Sequence, residues 1–282
     1  MLTLTQGIVL GIVQGITELF PVSSLGHSTL IPALLHWQIN EQDPAFLEFL
    51  VATHFATALV LFLYYWKDWM RILRGIVRSL ITRSLASDST ARLGWLLIVG
   101  TVPAGVLGFV FQNKIEAIFI NPRSAALFLA ANGVLIFGAE WLRNSTYAFS
   151  GGDNRIARLS WGKGFFVGIM QSLALIPGFS RTGSSLSGGL IVGLSHEDAL
   201  RFAFLLSTPI IGAAALLKLP ELFKNGDHAL LLTAFVGSLC AALFSYLSVR
   251  FLTSYFKIES RSLAPFALYC LIVGITAFFL VS

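Results

Sequence analysis

Apolar positions run along the chain in long stretches, broken by short polar ones. A helix that crosses the hydrocarbon core of a bilayer needs about 20 mostly apolar residues. Residues 93–113, 229–249 and 262–282 meet this with little ambiguity. Residues 46–66, 124–142 and 202–219 are slightly short or interrupted. The pattern predicts six full transmembrane helices.

Two further regions have a different pattern. Residues 4–37 are broken at Pro21 and polar at Ser23, Ser24 and His27. Residues 164–194 are broken at Pro177 and Gly178 and polar from Ser180 to Ser185. In each, two short apolar pieces flank a polar turn. Paired interrupted segments at corresponding places in two halves point to a binding site. Backbone that leaves the helix at membrane depth survives only inside protein or beside a wet cavity.

Composition supports a membrane protein. Hydrophobic residues make up 56% of the chain and charged ones only 12%, where soluble domains average about 25% charged. A soluble enzyme, a disordered chain and a nucleic-acid-binding domain are excluded. The formal charge of +5 is explained by where the basic residues fall. Residues 67–92 hold Lys67, Arg71, Arg74, Arg78, Arg83 and Arg92; residues 143–163 hold Arg143, Arg155, Arg158 and Lys163; residues 250–261 hold Arg250, Lys257 and Arg261. Segment 38–45 carries only Glu41 and Asp43, and segment 220–228 one lysine against two acids. The positive-inside rule places the first three loops in the cytoplasm.

Six spans thread through these loops only if each broken region returns to the side it entered. The expectation is an all-α polytopic membrane protein with six transmembrane helices and two re-entrant helical hairpins. It forms one membrane domain over residues 1–282, with inverted repeats 1–142 and 164–282 joined by the cytoplasmic loop 143–163. Both termini face outside. Gly11-Ile12-Val13-Gln14 recurs as Gly168-Ile169-Met170-Gln171, and Ser23-Ser24-Leu25-Gly26 matches Ser180-Arg181-Thr182-Gly183. No basic residue precedes Lys67, so the amino-terminal apolar stretch is expected to remain in the mature protein rather than act as a signal peptide. Cys240 and Cys270 have no ligand spacing and are expected to be small buried hydrophobes.

Ionisable residues inside a span are expensive and need a partner or a function. Glu18, His27, Glu48, His54 and Arg181 are the candidates; Glu48, His36 and Glu140 lie near span ends and are expected to reach water. Gln14 and Glu18 share a helix face with the small-residue stripe Gly7, Gly11 and Gly15. Pro21 ends that helix, and Ser23 or Ser24 caps the next. The exposed N–H groups of a helix start favour an anion. A hydroxyl three or four residues from His27 is the ingredient of nucleophilic catalysis. In the second hairpin, Arg181 lies among Ser180, Thr182, Gly183, Ser184 and Ser185, a composition suited to cradling phosphate.

These residues resemble the signatures of the bacterial undecaprenyl-diphosphate phosphatase family, the bacitracin-resistance phosphatases. Gln14, Glu18, Pro21, Ser23, Ser24, Gly26 and His27 match Glu/Gln-x-x-x-Glu followed by Pro-x-Ser-Ser-x-Gly-His. Pro177 to Gly183 matches Pro-Gly-x-Ser-Arg-x-Gly. The resemblance covers essentially the whole chain. It implies hydrolysis of undecaprenyl diphosphate to undecaprenyl phosphate in the bacterial inner membrane, at a site facing the periplasm, with a divalent cation, Mg²⁺ or Ca²⁺. The product is the recycled carrier for cell-wall synthesis, and its recycling confers bacitracin resistance.

The resemblance makes Glu18, Ser24, His27 and Arg181 catalytic. It puts Ser23, Gly26, Ser180, Arg181, Thr182, Gly183, Ser184 and Ser185 on the diphosphate, and Glu18 with Gln14 on the metal. Either Ser24 attacks with His27 as base, or His27 attacks or activates water. Gln14 removes one carboxylate from the metal site, and Leu25 stands where many members have threonine. The expected partners are the polyprenyl diphosphate and membrane lipids, with no nucleic acid; a homodimer is compatible with the sequence. The alternative is a flippase for undecaprenyl phosphate or another anionic lipid on the same scaffold.

Overall fold

Each long apolar run becomes a helix because only a helix satisfies its own backbone polar groups in a medium without water. The computed structural model describes residues 2–39, 43–85, 88–118, 121–143, 152–225, 228–258 and 260–281, with the side chains of 112–118, 221, 223 and 225 excepted. Glu41 and residues 144–151 of the predicted cytoplasmic loop lie outside the described residues.

The helices are α1 Leu4–Thr17, α2 Ser24–Leu34, α3 Pro44–Tyr64, α4 Trp66–Thr82, α5 Ser89–Ile118 and α6 Pro122–Leu142. They continue as α7 Gly152–Ala157, α8 Trp161–Ser172, α9 Arg181–Ile191, α10 His196–Asn225, α11 His228–Tyr255 and α12 Ala264–Leu280. A 3₁₀ turn, Leu173–Leu175, follows α8. Among the described residues there is no strand. Among the described residues five helices are long and apolar enough to cross a membrane: α3, α5, α6, α10 and α11. The sixth expected span, residues 262–282, is the 17-residue helix α12, which starts after the Leu263 cap with Pro265 in its first turn. The outer surface is apolar: Phe109 is 81% exposed, Leu217 80% and Phe279 78%. Such a surface fits lipid rather than water.

Residues 67–82, expected as part of a basic loop, are helical. In α4 the buried residues Ile72, Gly75 and Ser79 recur at helical spacing, and Arg71, Arg74 and Arg78 point outward. Gly75 lies against Ala91, and Trp95 donates to Ser79 Oγ at 3.0 Å, so α4 packs along α5. This amphipathic pattern suits a helix lying at an interface.

The two broken segments are clamped by close helix contacts. A Cβ at Gly11 would strike the carbonyl of Gly237, and one at Gly168 would strike the carbonyl of Gly100. Thus α1 packs backbone to backbone on α11, and α8 does the same on α5. Small residues permit this approach where apolar surface gives helices little reason to prefer one another over lipid. In the centre α3 packs on α10, and α6 packs on α12. Glu140 keeps part of its side chain exposed, as expected, and also accepts from the Leu263 backbone N–H at 3.2 Å and pairs with His196 Nε2 at 2.8 Å, tying α6 to α10 and α12. Glu48, also expected at a wet end, is buried.

Candidate active site

The first broken segment stops being helical at Glu18 because Pro21 has no N–H to continue the ladder. The chain turns through Phe20 and Val22 and restarts at Ser23, which caps α2. Ser23 Oγ accepts from the Gly26 N–H at 3.1 Å. The second segment unwinds through the 3₁₀ turn and restarts at Ser180, which caps α9 by accepting from the Gly183 N–H at 3.1 Å. The helix starts therefore match residue for residue as the sequence predicts, Ser23 with Ser180 and Gly26 with Gly183.

These two helix starts meet. Asn132 of α6, fully buried, donates from Nδ2 to the Pro21 carbonyl at 3.0 Å and accepts at Oδ1 from the Ser180 N–H at 3.1 Å. Ser180 Oγ donates to the Phe20 carbonyl at 3.3 Å, and Thr182 Oγ1 donates to the Glu18 carbonyl at 3.1 Å. A Cβ on Gly26 would lie 3.2 Å from Gly178 Cα, so the hairpins touch where neither has a side chain. Gly178 has φ +103°, a backbone that only glycine adopts without strain.

Glu18 is the centre of the cluster. Its Oε2 accepts from Gln14 Nε2 at 3.2 Å and from the Ser24 hydroxyl. The same oxygen faces His54 Nε2 at 3.2 Å, and Oε1 faces Arg181 Nη1 at 3.7 Å. Glu18, Ser24, His54 and Arg181 line one pocket with Ser23 and Ser180, and it has room for little more than a water molecule. Two buried polar atoms here have no hydrogen-bond partner: Arg181 Nη1, a donor, and Gln14 Oε1, an acceptor. Helix starts, an arginine with an unused donor and a hydroxyl held on a carboxylate together make a site for an anion and a nucleophile.

The remaining predicted residues fall in two groups. Ser23, Ser180 and Thr182 spend their hydroxyls on caps and hairpin contacts, and Gly26 and Gly183 supply capped N–H groups and close approach. Ser184 and Ser185 are fully buried in α9 and do not line the pocket. His27 is buried, but its ring is not on Ser24. Its Nδ1 lies 2.7 Å from the Ser23 carbonyl and its Nε2 2.8 Å from the Tyr269 hydroxyl. A helical histidine readily turns back to the carbonyl four residues earlier, and this one does so.

A family profile described as bacitracin resistance protein BacA matches residues 7–276. The chain belongs to the BacA family. Relatives named undecaprenyl-diphosphatase include one from Mycolicibacterium paratuberculosis, 40% identical over 97% of this chain and 95% of the relative. One from Acidiphilium cryptum is 41% identical over 97% of this chain and 96% of the relative. One from Chromobacterium violaceum, named undecaprenyl-diphosphatase 2, is 42% identical over 96% of each chain.

For this BacA-family chain the metal can be tested against the donors present. Among the described residues no three His, Cys, Asp or Glu side chains converge. The unpartnered Gln14 Oε1 beside Glu18 is a buried oxygen suited to a hard cation. The donor set fits a cation shared with substrate phosphates, as Mg²⁺ sites often are, rather than a cage made by protein alone. Sequence reading missed Asn132, Tyr269 and the role of His54. His54 was visible as an ionisable residue within an apolar run; the other two act through contacts distant in sequence and leave no local trace.

Proposed function

We propose that the chain hydrolyses undecaprenyl diphosphate to undecaprenyl phosphate and inorganic phosphate, returning the lipid carrier to cell-wall synthesis and conferring bacitracin resistance. The observation that carries this reading is the Ser24 hydroxyl held on Glu18 beside Arg181, whose Nη1 lacks a hydrogen bond. Arg181 and the first turns of α2 and α9 hold the terminal phosphate and stabilise its charge in transfer. Ser24 Oγ attacks the terminal phosphorus and passes its proton to Glu18. The bond to the bridging oxygen breaks, and undecaprenyl phosphate leaves. Water then attacks the phosphoserine, releasing phosphate, and Glu18 returns the proton to Ser24. Glu18 and Gln14 would hold a Mg²⁺ or Ca²⁺ ion, which supplies charge neutralisation on the diphosphate. His27 holds α2 against Tyr269 and takes no part in proton transfer.

The site belongs to a six-span inverted repeat with two re-entrant hairpins, opening to the periplasm. The matched caps at Ser23 and Ser180 and the matched glycine contacts of α1 on α11 and α8 on α5 support the repeat. Basic residues on α4 and at 250–261 support the orientation. A flippase on this scaffold would use Arg181 and Glu18 but has no need of a serine hydroxyl held on the carboxylate.

The test is phosphate release from undecaprenyl diphosphate by purified protein in detergent. Release is expected with Mg²⁺ or Ca²⁺, is lost with EDTA, and falls about 10²–10³-fold in Arg181→Ala, the scale of a removed transition-state donor. Full release by that variant would overturn the reading.

A further inference from the structure

Glu18 must present one oxygen to Ser24, yet it sits at the last turn of α1, where the helix is ending. Something has to fix its carboxylate plane. Gln14 gives one donor from the same helix at 3.2 Å. The other close partner comes from α3. His54 is 13% exposed at its side chain, and its Nδ1 lies 2.7 Å from the Leu50 carbonyl one turn back. That bond sets the ring orientation and aims Nε2 at Glu18 Oε2. The ring is thus held between two oxygens, the Leu50 carbonyl and the Glu18 carboxylate. His27 is the counter-example within the same fold: its ring faces one carbonyl and one hydroxyl, and a hydroxyl can donate.

From this geometry we infer that His54 is the positioning residue of the reaction, holding the Glu18 carboxylate in the orientation that receives the Ser24 proton. The inference rests on the phosphatase reading for its substrate, but not for its geometry. His54 reaches Ser24 only through Glu18, and its removal slows the chemical step while leaving the phosphate-holding Arg181 in place. A carboxylate free to turn would still be present; it would meet Ser24 in only a fraction of its orientations.

Two substitutions separate the halves of the imidazole. Asparagine places its amide where Nδ1 lies, keeping the bond to Leu50 but falling short of Glu18. Glutamine places its amide nitrogen near Nε2, where it donates to Glu18. The expectation for His54→Asn is a fall in kcat of about 30–100-fold with KM within threefold of the wild type. His54→Gln is expected to recover kcat to within about fivefold. These sizes match a misplaced catalytic group rather than a missing one. Thermal unfolding in detergent monitors folding of both.

A second readout does not need lipid turnover. A fluorophosphonate probe forms a bond from Ser24 Oγ to phosphorus, expels fluoride and leaves the serine proton on Glu18, and intact mass reports the rate. His54→Asn should slow labelling and His54→Gln restore it, with Ser24→Ala as the unlabelled control. Wild-type labelling that depends on His54 but without phosphate release would remove the lipid-diphosphate reading and keep the positioning role. Wild-type kcat and labelling in His54→Asn, a change confined to KM, or a glutamine variant as slow as the asparagine one would each overturn the inference.

Discussion

The two hairpins are built on one plan and differ in where the backbone is strained. Each ends a helix, turns, and restarts on a serine that bonds the N–H of a glycine three residues on at 3.1 Å. In the second, the awkward backbone falls on Gly178, at φ +103°, and the capping serine is relaxed at φ −88°. In the first, no glycine is available between Leu19 and Ser23, and the capping serine itself takes φ 67°. That conformation costs about 1–3 kcal/mol in a residue with a Cβ. The relaxed hairpin presents Arg181, and the strained one presents Ser24. On the proposed reading, holding an anion asks only for donors in place, whereas aiming a nucleophile asks the chain for a position it would not take unaided.

The comparison breaks most visibly in the first turn of α2, the helix that the strained hairpin restarts. Ser24→Ala should abolish release to the limit of detection, about 10³-fold or more, as expected for a nucleophile that acts as a unit with its base. His27→Gln should stay within about tenfold, because the loss is one of packing and a hydrogen bond of about 1 kcal/mol. Steady-state assays on both variants decide it; equal loss would restore His27 to the chemistry.

Asn132 comes next, since it ties one hairpin to the other. Asn132→Leu keeps the size and removes both bonds, leaving the Ser180 N–H unpaired in the interior. A loss of about 1–3 kcal/mol is expected for the orphaned group, read as a lower thermal midpoint together with slower turnover. Gly178→Ala should cost a similar amount in stability, since its Cβ would meet the Ala125 carbonyl and its φ is left-handed. Gly26→Ala, on the other side of that contact, meets only Ser23 Oγ and Gly178 at 3.1 and 3.2 Å and should cost less.

The smallest effect is the most direct measure of the difference. Ser23→Gly gives up a cap worth a few tenths of a kcal/mol and relieves about 1 kcal/mol of backbone strain. Its thermal midpoint should rise while turnover falls. Ser180→Gly has no strain to relieve, and its midpoint should drop. Opposite signs at two equivalent caps would establish that strain is confined to the reactive hairpin.

Much of this was legible in the sequence because it is local. Pro21 and the Pro177–Gly178 pair interrupt apolar runs, and hydroxyls beside them have little reason to be there except capping and chemistry. The Gly11 and Gly168 correspondence could be read from spacing and matches where the helices touch. The basic residues of 67–82 hid a helix, since their charge resembled a loop while Ile72, Gly75 and Ser79 kept the helical period. The partner of Ser24 was not legible. A three-residue separation makes His27 the natural candidate, but the Ser23 carbonyl competes for that ring and wins. Glu18 reaches Ser24 only because the chain folds back at Pro21, and His54 and Tyr269 arrive from helices far along the sequence.

Asn132 also has a consequence for how the protein is made. A chain emerging from the ribosome completes its first half before the second exists. The amide can engage the Pro21 carbonyl as soon as α6 has entered the membrane, and its oxygen then waits for the Ser180 N–H. A side-chain amide gives from one atom and takes at another; aspartate or leucine in its place could do one or neither. The late-arriving hairpin thus finds a prepared anchor, and a second half docked one turn out of register would leave that anchor empty.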